Sequence, residues 1–170
     1  MDYFKERMVL TPKAEKFRKQ MLNPWLFDIF LLVKLPLAWA GGCRLKRIDR
    51  EGCEVQLPYG WRSQNPFKSI YFAAQSMAAE MSTGVLALFA IENSGRSIAM
   101  LVAHMEADFT KKADSLTTFT CNDGHLMFAA IEETCRTGEA VLVPMVTIGR
   151  MKDGTEVSRF VFTWSVKARK

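Results

Sequence analysis

One segment of the 170-residue chain, residues 65–91, constrains the fold more than any other feature because it combines helix signals with many small side chains. Asn65 before Pro66 predicts a helix N-cap followed by a proline in the first turn, and the polar cluster ending at Gly95 predicts the stop. Other backbones can approach this helix closely along its small residues, which are Ala73, Ala74, Ser76, Ala78, Ala79, Ser82 and Gly84. We therefore predict a central helix surrounded by other elements, with the isolated acid Glu80 as the first candidate for chemistry.

Most of the remaining chain has the alternation of apolar and polar residues that is typical of strands. Two short strands are predicted on either side of a turn at residues 49–52, and two more follow the central helix. A short helix comes next, and then a long hairpin around Asp153 and Gly154, a pair that favours a type I′ turn. The predicted strands are 43–48, 53–57, 97–109, 116–121, 141–151 and 156–166, with the short helix at 126–136.

Two helices are predicted ahead of the first strand. The first runs from Thr11 to Asn23 and is amphipathic, with apolar residues on one side. The second covers the apolar run 25–40, which Asp28, Lys34 and Pro36 interrupt. This run is too short to span a bilayer comfortably, so we interpret it as a helix docked on the core and expect no membrane contact, with peripheral contact as the alternative.

Composition excludes several classes of protein. A hydrophobic content of 49% argues for one globular domain, and the net charge of +5 is spread along the chain without a dominant basic run. The basic group Arg44, Lys46, Arg47 and Arg50 matches no nucleic-acid module, although it could equally hold another anionic ligand. No phosphate-binding glycine loop is present. We predict no nucleic-acid partner and no nucleotide cofactor.

The cysteines indicate whether the chain binds a metal, and its first residues indicate the cellular compartment. Cys43, Cys53, Cys121 and Cys135 form no CxxC pair and lack histidines at zinc-ligand spacing, so we expect no metal site and free thiols in a reducing compartment. The first ten residues mix acids and bases, unlike a secretory signal peptide. We therefore predict a cytoplasmic protein.

Three stretches carry a family resemblance: VKLPL at 33–37, NPFKSIYF at 65–72 and MAAEMSTG at 77–84. They resemble a bacterial branch of the hotdog thioesterase-like superfamily that is classed as a domain of unknown function. The resemblance implies an α+β hotdog fold, in which a six-stranded antiparallel sheet wraps around the long central helix. We accordingly predict a single hotdog domain over residues 1–170, with residues 1–41 as an N-terminal helical extension and residues 42–170 as the core.

The resemblance also implies a site and a reaction. Hotdog thioesterases of the phenylacetic-acid-pathway type carry an asparagine before the central helix and an acid within it, and Asn65 and Glu80 match these two places. Substrate-binding roles fall by the same resemblance on Ser69, Tyr71, Phe72 and Thr83. The implied substrate is an acyl-CoA or a related acyl thioester, so coenzyme A is part of the substrate and no separate cofactor is expected.

The spacing of the two catalytic candidates predicts how the site is assembled. If residues 65–80 are helical, Asn65 and Glu80 lie about 22 Å apart along one axis, beyond hydrogen-bond reach. A two-fold axis that sets two central helices antiparallel brings residue 65 of one chain toward residue 80 of the other. The predicted functional unit is a homodimer, and pairing of dimers into a tetramer stays open.

Each assignment has an alternative. The N-cap role alone explains Asn65, and a structural buried acid explains Glu80. The bulky residues Ile70, Tyr71 and Phe72 stand where familiar hotdog thioesterases often have a small-residue turn. Three hypotheses therefore remain: a thioester hydrolase using Glu80 and Asn65, a non-catalytic acyl or lipid-binding protein, and a structural protein that docks a partner through its N-terminal helices.

The two histidines give no simple catalytic arrangement. His104 falls in a predicted strand with Glu106 and Asp108 on the same face, which predicts a polar cluster as readily as a site. His125 falls at the start of the short helix after Asp123, where a surface or capping role is expected.

Overall fold

The computed structural model describes residues 10–169, which form five helices and six strands. The N-terminal residues 1–9 of the predicted extension lie outside the described part of the chain. The helices are α1 (Pro12–Leu22), α2 (Pro24–Lys34), α3 (Pro36–Gly41), α4 (Phe72–Ser94) and α5 (Gly124–Thr137). The strands are β1 (Arg44–Ile48), β2 (Cys53–Leu57), β3 (Ile98–Phe109), β4 (Thr117–Cys121), β5 (Val141–Met151) and β6 (Glu156–Ala168).

The six strands form one antiparallel sheet in the order β1-β2-β4-β5-β6-β3, which wraps around the long helix α4. This is the α+β hotdog architecture predicted from the sequence. The outer edges of the sheet belong to β1 and β3, and β3 is long, with large apolar side chains exposed at Leu101, Val102, Met105 and Phe109. The free outer edge of a strand of this length offers a row of backbone hydrogen-bonding groups to another chain.

Helix α4 is buried on most of its surface, as its small residues predict. Its most apolar window has the length and composition of a membrane span, but 67% of that window is buried inside the domain, as in the core helix of a globular protein. Gly84 is needed for close packing, because a Cβ atom there would lie 3.0 Å from Glu80 Oε1 and 3.4 Å from Trp164 Cζ2. This proximity offsets the low helix propensity of glycine.

The beginning of α4 differs from the sequence prediction. The helix starts at Phe72 with Tyr71 as its N-cap residue, so the prediction of a helix from residue 65 capped by Asn65 is wrong. Residues 65–69 form a tight loop in which Lys68 adopts a positive φ of 58°. The sequence pattern from Asn65 onward predicts a helix incorrectly, because an Asn-Pro pair can begin either a helix or a turn. The predicted end is confirmed, since Gly95 is a left-handed C-cap.

The hairpin is also confirmed, but its turn is not type I′. That type needs positive φ at both central residues, whereas in the described chain Gly154 has a φ of 85° and Asp153 does not share it. The loop spans residues 152–155, and the Asp153 carboxylate accepts hydrogen bonds from the amide and the hydroxyl of Thr155. These side-chain bonds favour a four-residue loop over the two-residue turn.

The N-terminal apolar run forms two helices instead of one docked helix. Pro36 ends α2 at Lys34 and begins α3, because proline lacks the N–H that a continuous helix needs. Phe27, Leu31 and Ala38 face the core, but most other large apolar residues of the two helices are exposed. The expectation that this segment is simply docked on the core is therefore only half right. Helix α1 packs on α4 through stacked rings of Phe17 and Phe89, 6.4 Å apart.

Candidate functional site

Asn65 organises the loop that leads into α4. Its side-chain oxygen accepts hydrogen bonds from the amides of Phe67 and Ser69, at 3.0 and 3.2 Å, and from the Ser69 hydroxyl at 3.2 Å. Its backbone amide donates to the Ser69 carbonyl at 2.8 Å. Asn65 is thus an Asx-type turn residue. Its side-chain NH₂ group has no acceptor among the described residues and remains available for a ligand.

A cavity of about 360 Å³ opens beside this loop, between the start of α4 and the end of β3. Asn65, Ser69 and Gln75 contribute polar atoms to its wall, and Lys111 and Lys112 lie at its border. Lys112 Nζ donates to the Phe67 carbonyl at 3.2 Å, which joins the β3–β4 connection to the Asn65 loop. The cavity therefore combines uncharged hydrogen-bonding groups with positive charge.

The N-terminus of α4 supplies backbone donors. Gln75 is the first residue whose amide bonds back into the helix, to Tyr71 O at 3.0 Å. The amides of Phe72, Ala73 and Ala74 have no acceptor within the described chain, and no side chain caps the helix. Such amides form a partial positive charge that suits an anionic oxygen. Of the two substrate-binding candidates at the helix start, only Phe72 has a free amide, because the Tyr71 amide donates to Ser63 O at 2.7 Å.

An apolar groove of about 530 Å³ runs beside the same helix end. It lies between α3, the Trp61 loop and the first two turns of α4. Ala73, Ala74 and Met77 form the α4 side, and Leu37 and Trp61 form the opposite wall. The groove therefore brings apolar surface to the free amides of α4.

Glu80 lies on α4 beyond the end of the groove, which Met77 lines. Residues 73, 77, 80 and 84 follow the spacing of one helix face, so Glu80 lies one turn beyond Met77. Its side chain is half-buried, with Oε1 beside Gly84 and the Trp164 ring. Within the described chain the carboxylate has no hydrogen-bond or ion-pair partner, and burial raises its pKa above the ordinary value of 4.5. An unpaired carboxylate with a raised pKa suits a general base near neutral pH.

The hydroxyl groups of the two candidates Ser69 and Thr83 form hydrogen bonds within the protein. Ser69 is buried and its hydroxyl donates to Asn65. Thr83 is fully buried, accepts a hydrogen bond from Trp164 Nε1 at 2.9 Å and donates to the Glu80 carbonyl at 2.9 Å. Each therefore positions a catalytic candidate, Ser69 through Asn65 and Thr83 through the backbone of Glu80.

Tyr71 and Phe72 lie at the surface beside the first cavity. Both side chains are about half exposed, and their rings meet edge to face at 4.8 Å. Phe72 also contacts Phe109 at the end of β3, with 6.4 Å between ring centroids. The bulky residues that the sequence places at the helix start thus border the site and leave the amides behind them free.

The other titratable candidates lie elsewhere. His104 Nε2 is 3.2 Å from Glu106 Oε1 on the exposed face of β3, which confirms the predicted polar pairing, and His125 is exposed in the first turn of α5. Burial raises the pKa of the Cys43 and Cys121 thiols to about 12. They are therefore protonated at neutral pH and poor nucleophiles. The residues described contain no group of three or more histidines, cysteines or acids able to hold a metal ion.

Three of the four basic residues near β1 make internal contacts. Arg44 pairs with Asp28 at 2.8 Å, and Arg47 pairs with both Asp49 and Glu54. Arg50 lies over the Phe128 ring, 4.3 Å from its centroid. Sequence reasoning missed Lys111 and Lys112, which lie at the cavity, and it missed the Leu37 and Trp61 walls of the groove. A lysine pair in a polar turn carries no signal of what it faces, because its position depends on the folding of the Asn65 loop.

The architecture and the site together define a member of the hotdog structural class. The chain belongs to the family described as a domain of unknown function, DUF4442, whose model matches residues 23–166. No curated protein matches the chain.

Solved structures share the fold at low sequence identity. A Pseudomonas aeruginosa protein of unknown function, described as a probable thioesterase, is 16% identical with a TM-score of 0.71, covering 88% of this chain and 99% of that chain. A Chlorobaculum tepidum protein of unknown function is 11% identical with a TM-score of 0.72, covering 88% and 99%. A thioesterase from Haemophilus influenzae is 14% identical with a TM-score of 0.55, covering 82% and 88%. At these identities the similarity establishes the fold.

Proposed function

We propose that the protein is a cytoplasmic acyl thioesterase, hydrolysing an acyl-CoA or a related acyl thioester at sites shared between two subunits of a homodimer. The observation that carries the proposal is Glu80, a half-buried carboxylate with a raised pKa and no partner in the described chain. It lies one turn beyond Met77 on α4, and Met77 lines an apolar groove that also contains Ala73 and Ala74 at the helix start, where two of the three unpaired amides lie. A general base, an apolar chain-binding surface and an oxyanion site are the parts that thioester hydrolysis requires.

We assign each step of thioester hydrolysis to a residue or backbone group of the site. Glu80 takes a proton from water, and the resulting hydroxide attacks the thioester carbonyl carbon. The tetrahedral oxyanion accepts hydrogen bonds from the free amides at the start of α4, and the Asn65 NH₂ group orients the carbonyl or the water. Collapse of the intermediate breaks the carbon–sulfur bond, releasing the carboxylic acid and the coenzyme A thiol, which receives its proton from Glu80. Lys111 and Lys112 supply positive charge for the phosphates of coenzyme A.

The site needs two chains because its parts are separated within one. Glu80 lies about 12 Å along the helix axis from Phe72, where the free amides begin. We propose that β3 edges pair antiparallel about a two-fold axis, which extends the sheet and sets the two α4 helices antiparallel. The exposed apolar residues Leu101, Val102 and Met105 would then be covered. In this arrangement Glu80 of each subunit approaches the helix start and the Asn65 loop of its partner.

The test is hydrolysis of a panel of acyl-CoA substrates, measured by release of free thiol. We expect Glu80→Gln to reduce kcat by at least a hundredfold, in the range of a lost general base. Asn65→Asp keeps the oxygen that holds the loop but removes the free NH₂ group, and we expect a smaller loss in kcat. The exposed Glu139→Gln, which lies outside β3 and the candidate site, is the matched control and should retain wild-type activity. Hydrolysis unchanged in Glu80→Gln removes Glu80 from the mechanism.

Mixing these two impaired variants tests the shared site. A mixed dimer of Glu80→Gln and Asn65→Asp subunits contains one site with both native residues and one with neither. Random reassociation of equal amounts should give both native residues to about a quarter of the sites, so the mixture should be more active than the sum of the two variants measured separately. No recovery, with mixed dimers demonstrated by mass, means that each subunit supplies both residues to its own site.

A second candidate function, an acyl-binding protein without turnover, is favoured by one observation. The bulky Phe72 ring lines the cavity that contains Asn65, and the Tyr71 ring packs against Phe72. A stable complex with an acyl-CoA, detected by native mass spectrometry without release of thiol, would support this candidate. Steady turnover would eliminate it.

A further inference from the structure

The outward side of α2 and α3 carries a continuous apolar stripe. Its members follow the spacing of one helix face along α2 and continue onto α3. Trp25 and Leu37, at the two ends, are 80% and 79% exposed. The stripe consists of Trp25, Leu26, Ile29, Leu32, Val33 and Leu37. A surface of this kind in the folded domain indicates a binding partner.

Trp61 extends the stripe beyond the two helices. It is 82% exposed and stands in the loop after β2, where it lines the same groove as Leu37. The apolar surface thus comes from three separate elements whose side chains project outward. Exposed side chains that project from several elements are better suited to insertion into a lipid bilayer surface than to binding in a preformed protein cleft.

The charges around the stripe are mostly positive. Lys34 follows it at the end of α2, and Arg62 stands beside Trp61. At the other end, Lys16 and Lys19 border the hollow that contains Leu26. The acids here are neutralised, because Asp28 bonds Arg44 at 2.8 Å and Glu15 bonds Arg18 at 2.8 Å. Tryptophan and aliphatic residues flanked by cations are complementary to the headgroup region of an anionic bilayer.

We propose that this stripe is a membrane-docking face that binds the surface of an anionic lipid bilayer. The apolar side chains insert at the boundary between headgroups and acyl chains, and the flanking cations contact the lipid phosphates. Because Leu37 belongs both to the stripe and to the groove beside α4, docking sets the groove mouth against the bilayer. The proposal does not depend on catalysis, since it rests on the outer face of α2 and α3 alone.

The experiment is sedimentation of the full chain with vesicles of phosphatidylcholine mixed with phosphatidylglycerol, compared with vesicles of phosphatidylcholine alone. We expect binding to the anionic vesicles that weakens at high salt, and little binding to the neutral ones. The triple variant Trp25→Ser, Ile29→Ser and Leu37→Ser should lose binding at least tenfold. All three side chains are exposed, so folding should survive, which circular dichroism checks. Leu142→Ser on β5, also an exposed apolar residue, is the matched control and should bind like the wild type.

Other outcomes overturn the proposal. If the wild type fails to sediment with anionic vesicles, or if the triple variant binds as well as the wild type, the stripe is not a membrane face. If the triple variant instead lowers the molar mass in solution, measured by light scattering, the stripe is a contact between copies of the chain. If a soluble protein saturates the stripe and the vesicles do not, its partner is a protein.

Discussion

Replacing Glu80 by glutamine should stabilise the folded protein at neutral pH. The carboxylate is half-buried, has no hydrogen-bond or ion-pair partner in the described chain, and burial raises its pKa. The ionised form is therefore more costly in the folded state than in the unfolded state. Glutamine keeps the shape and removes the charge, so Glu80→Gln should unfold at a higher temperature at pH 7.

The pH dependence follows from linkage. Below about pH 4.5, the ordinary pKa of Glu80, the side chain is protonated in both states, and the two proteins should differ little. As the pH rises, the unfolded chain loses its proton first, and the wild type loses stability relative to the variant until the pH passes the folded pKa. Each unit by which the folded pKa exceeds the unfolded pKa corresponds to about 1.4 kcal/mol. For a chain of this size, 1 kcal/mol shifts Tm by roughly 2 to 4 °C.

The assay is thermal unfolding followed by circular dichroism across this pH range. Asp49→Asn provides a control of opposite sign. Burial acts to raise the pKa of Asp49, but hydrogen bonds from Arg47, Gly52 and Glu51 outweigh it and lower the pKa. Asp49→Asn should therefore lose stability at neutral pH and approach the wild type as the pH falls below 3.8. A lower Tm for Glu80→Gln at pH 7 would refute the reasoning, because it would mean that a partner group stabilises the ionised Glu80 in the assembled protein.

Three further predictions concern stability and assembly. Thr83→Val leaves the buried Trp164 N–H unpaired, and it should lower the free energy of unfolding, measured in urea, by about 1 to 3 kcal/mol. The same substitution should cost less in a Trp164→Phe background, where the N–H is absent. Equal costs in the two backgrounds would show that the hydrogen bond contributes nothing. Gly84→Ala should be more favourable in Glu80→Ala than in the wild type, because the new Cβ would lie 3.0 Å from Glu80 Oε1; additive Tm changes would contradict that contact. Leu101→Lys on the β3 edge should convert dimer to monomer in light scattering, whereas the exposed Leu142→Lys should not, and an unchanged mass would place the interface elsewhere.

The architecture was predictable because its signals are local. Alternation marks the strands, and Gly95 and Gly138 follow the ends of α4 and α5 in the left-handed conformation that glycine adopts readily at a helix C-cap. The errors come from the ambiguity of local signals. Asn65 and Pro66 fit a helix start, yet the polar side chain of Asn65 closes a turn seven residues before the helix.

The contents of the site were only partly predictable, because burial and pairing depend on distant residues. Glu80 stands out in sequence as an acid among small residues, but its burial and its lack of a partner depend on which side chains other elements place around it, such as Trp164 on β6. The groove walls at Leu37 and Trp61 come from segments far from α4 in the chain. Periodicity detects the face of one helix, and it cannot identify the residues that another element places opposite.

Buried polar contacts explain how such a weakly amphipathic helix as α4 is held in one rotation, with Ala73 and Met77 facing the groove. Apolar residues surround α4 on nearly every side, so hydrophobic burial alone leaves several rotations of similar energy. Three buried polar contacts to the sheet distinguish among them: Ser158 Oγ to Gln75 at 2.9 Å, Ser82 Oγ to Thr147 at 2.8 Å, and Trp164 Nε1 to Thr83 at 2.9 Å. Any rotation that breaks them leaves buried polar groups unpaired, at about 1 to 3 kcal/mol for each group. Gln75 and Ser82 lie on the side of α4 opposite Ala73 and Met77, so these contacts hold Ala73 and Met77 toward the groove. Glu80 stands one turn further along the helix, beside Gly84. These buried hydroxyl, amide and indole groups therefore fix the rotation of α4, and with it the position of the Glu80 carboxylate.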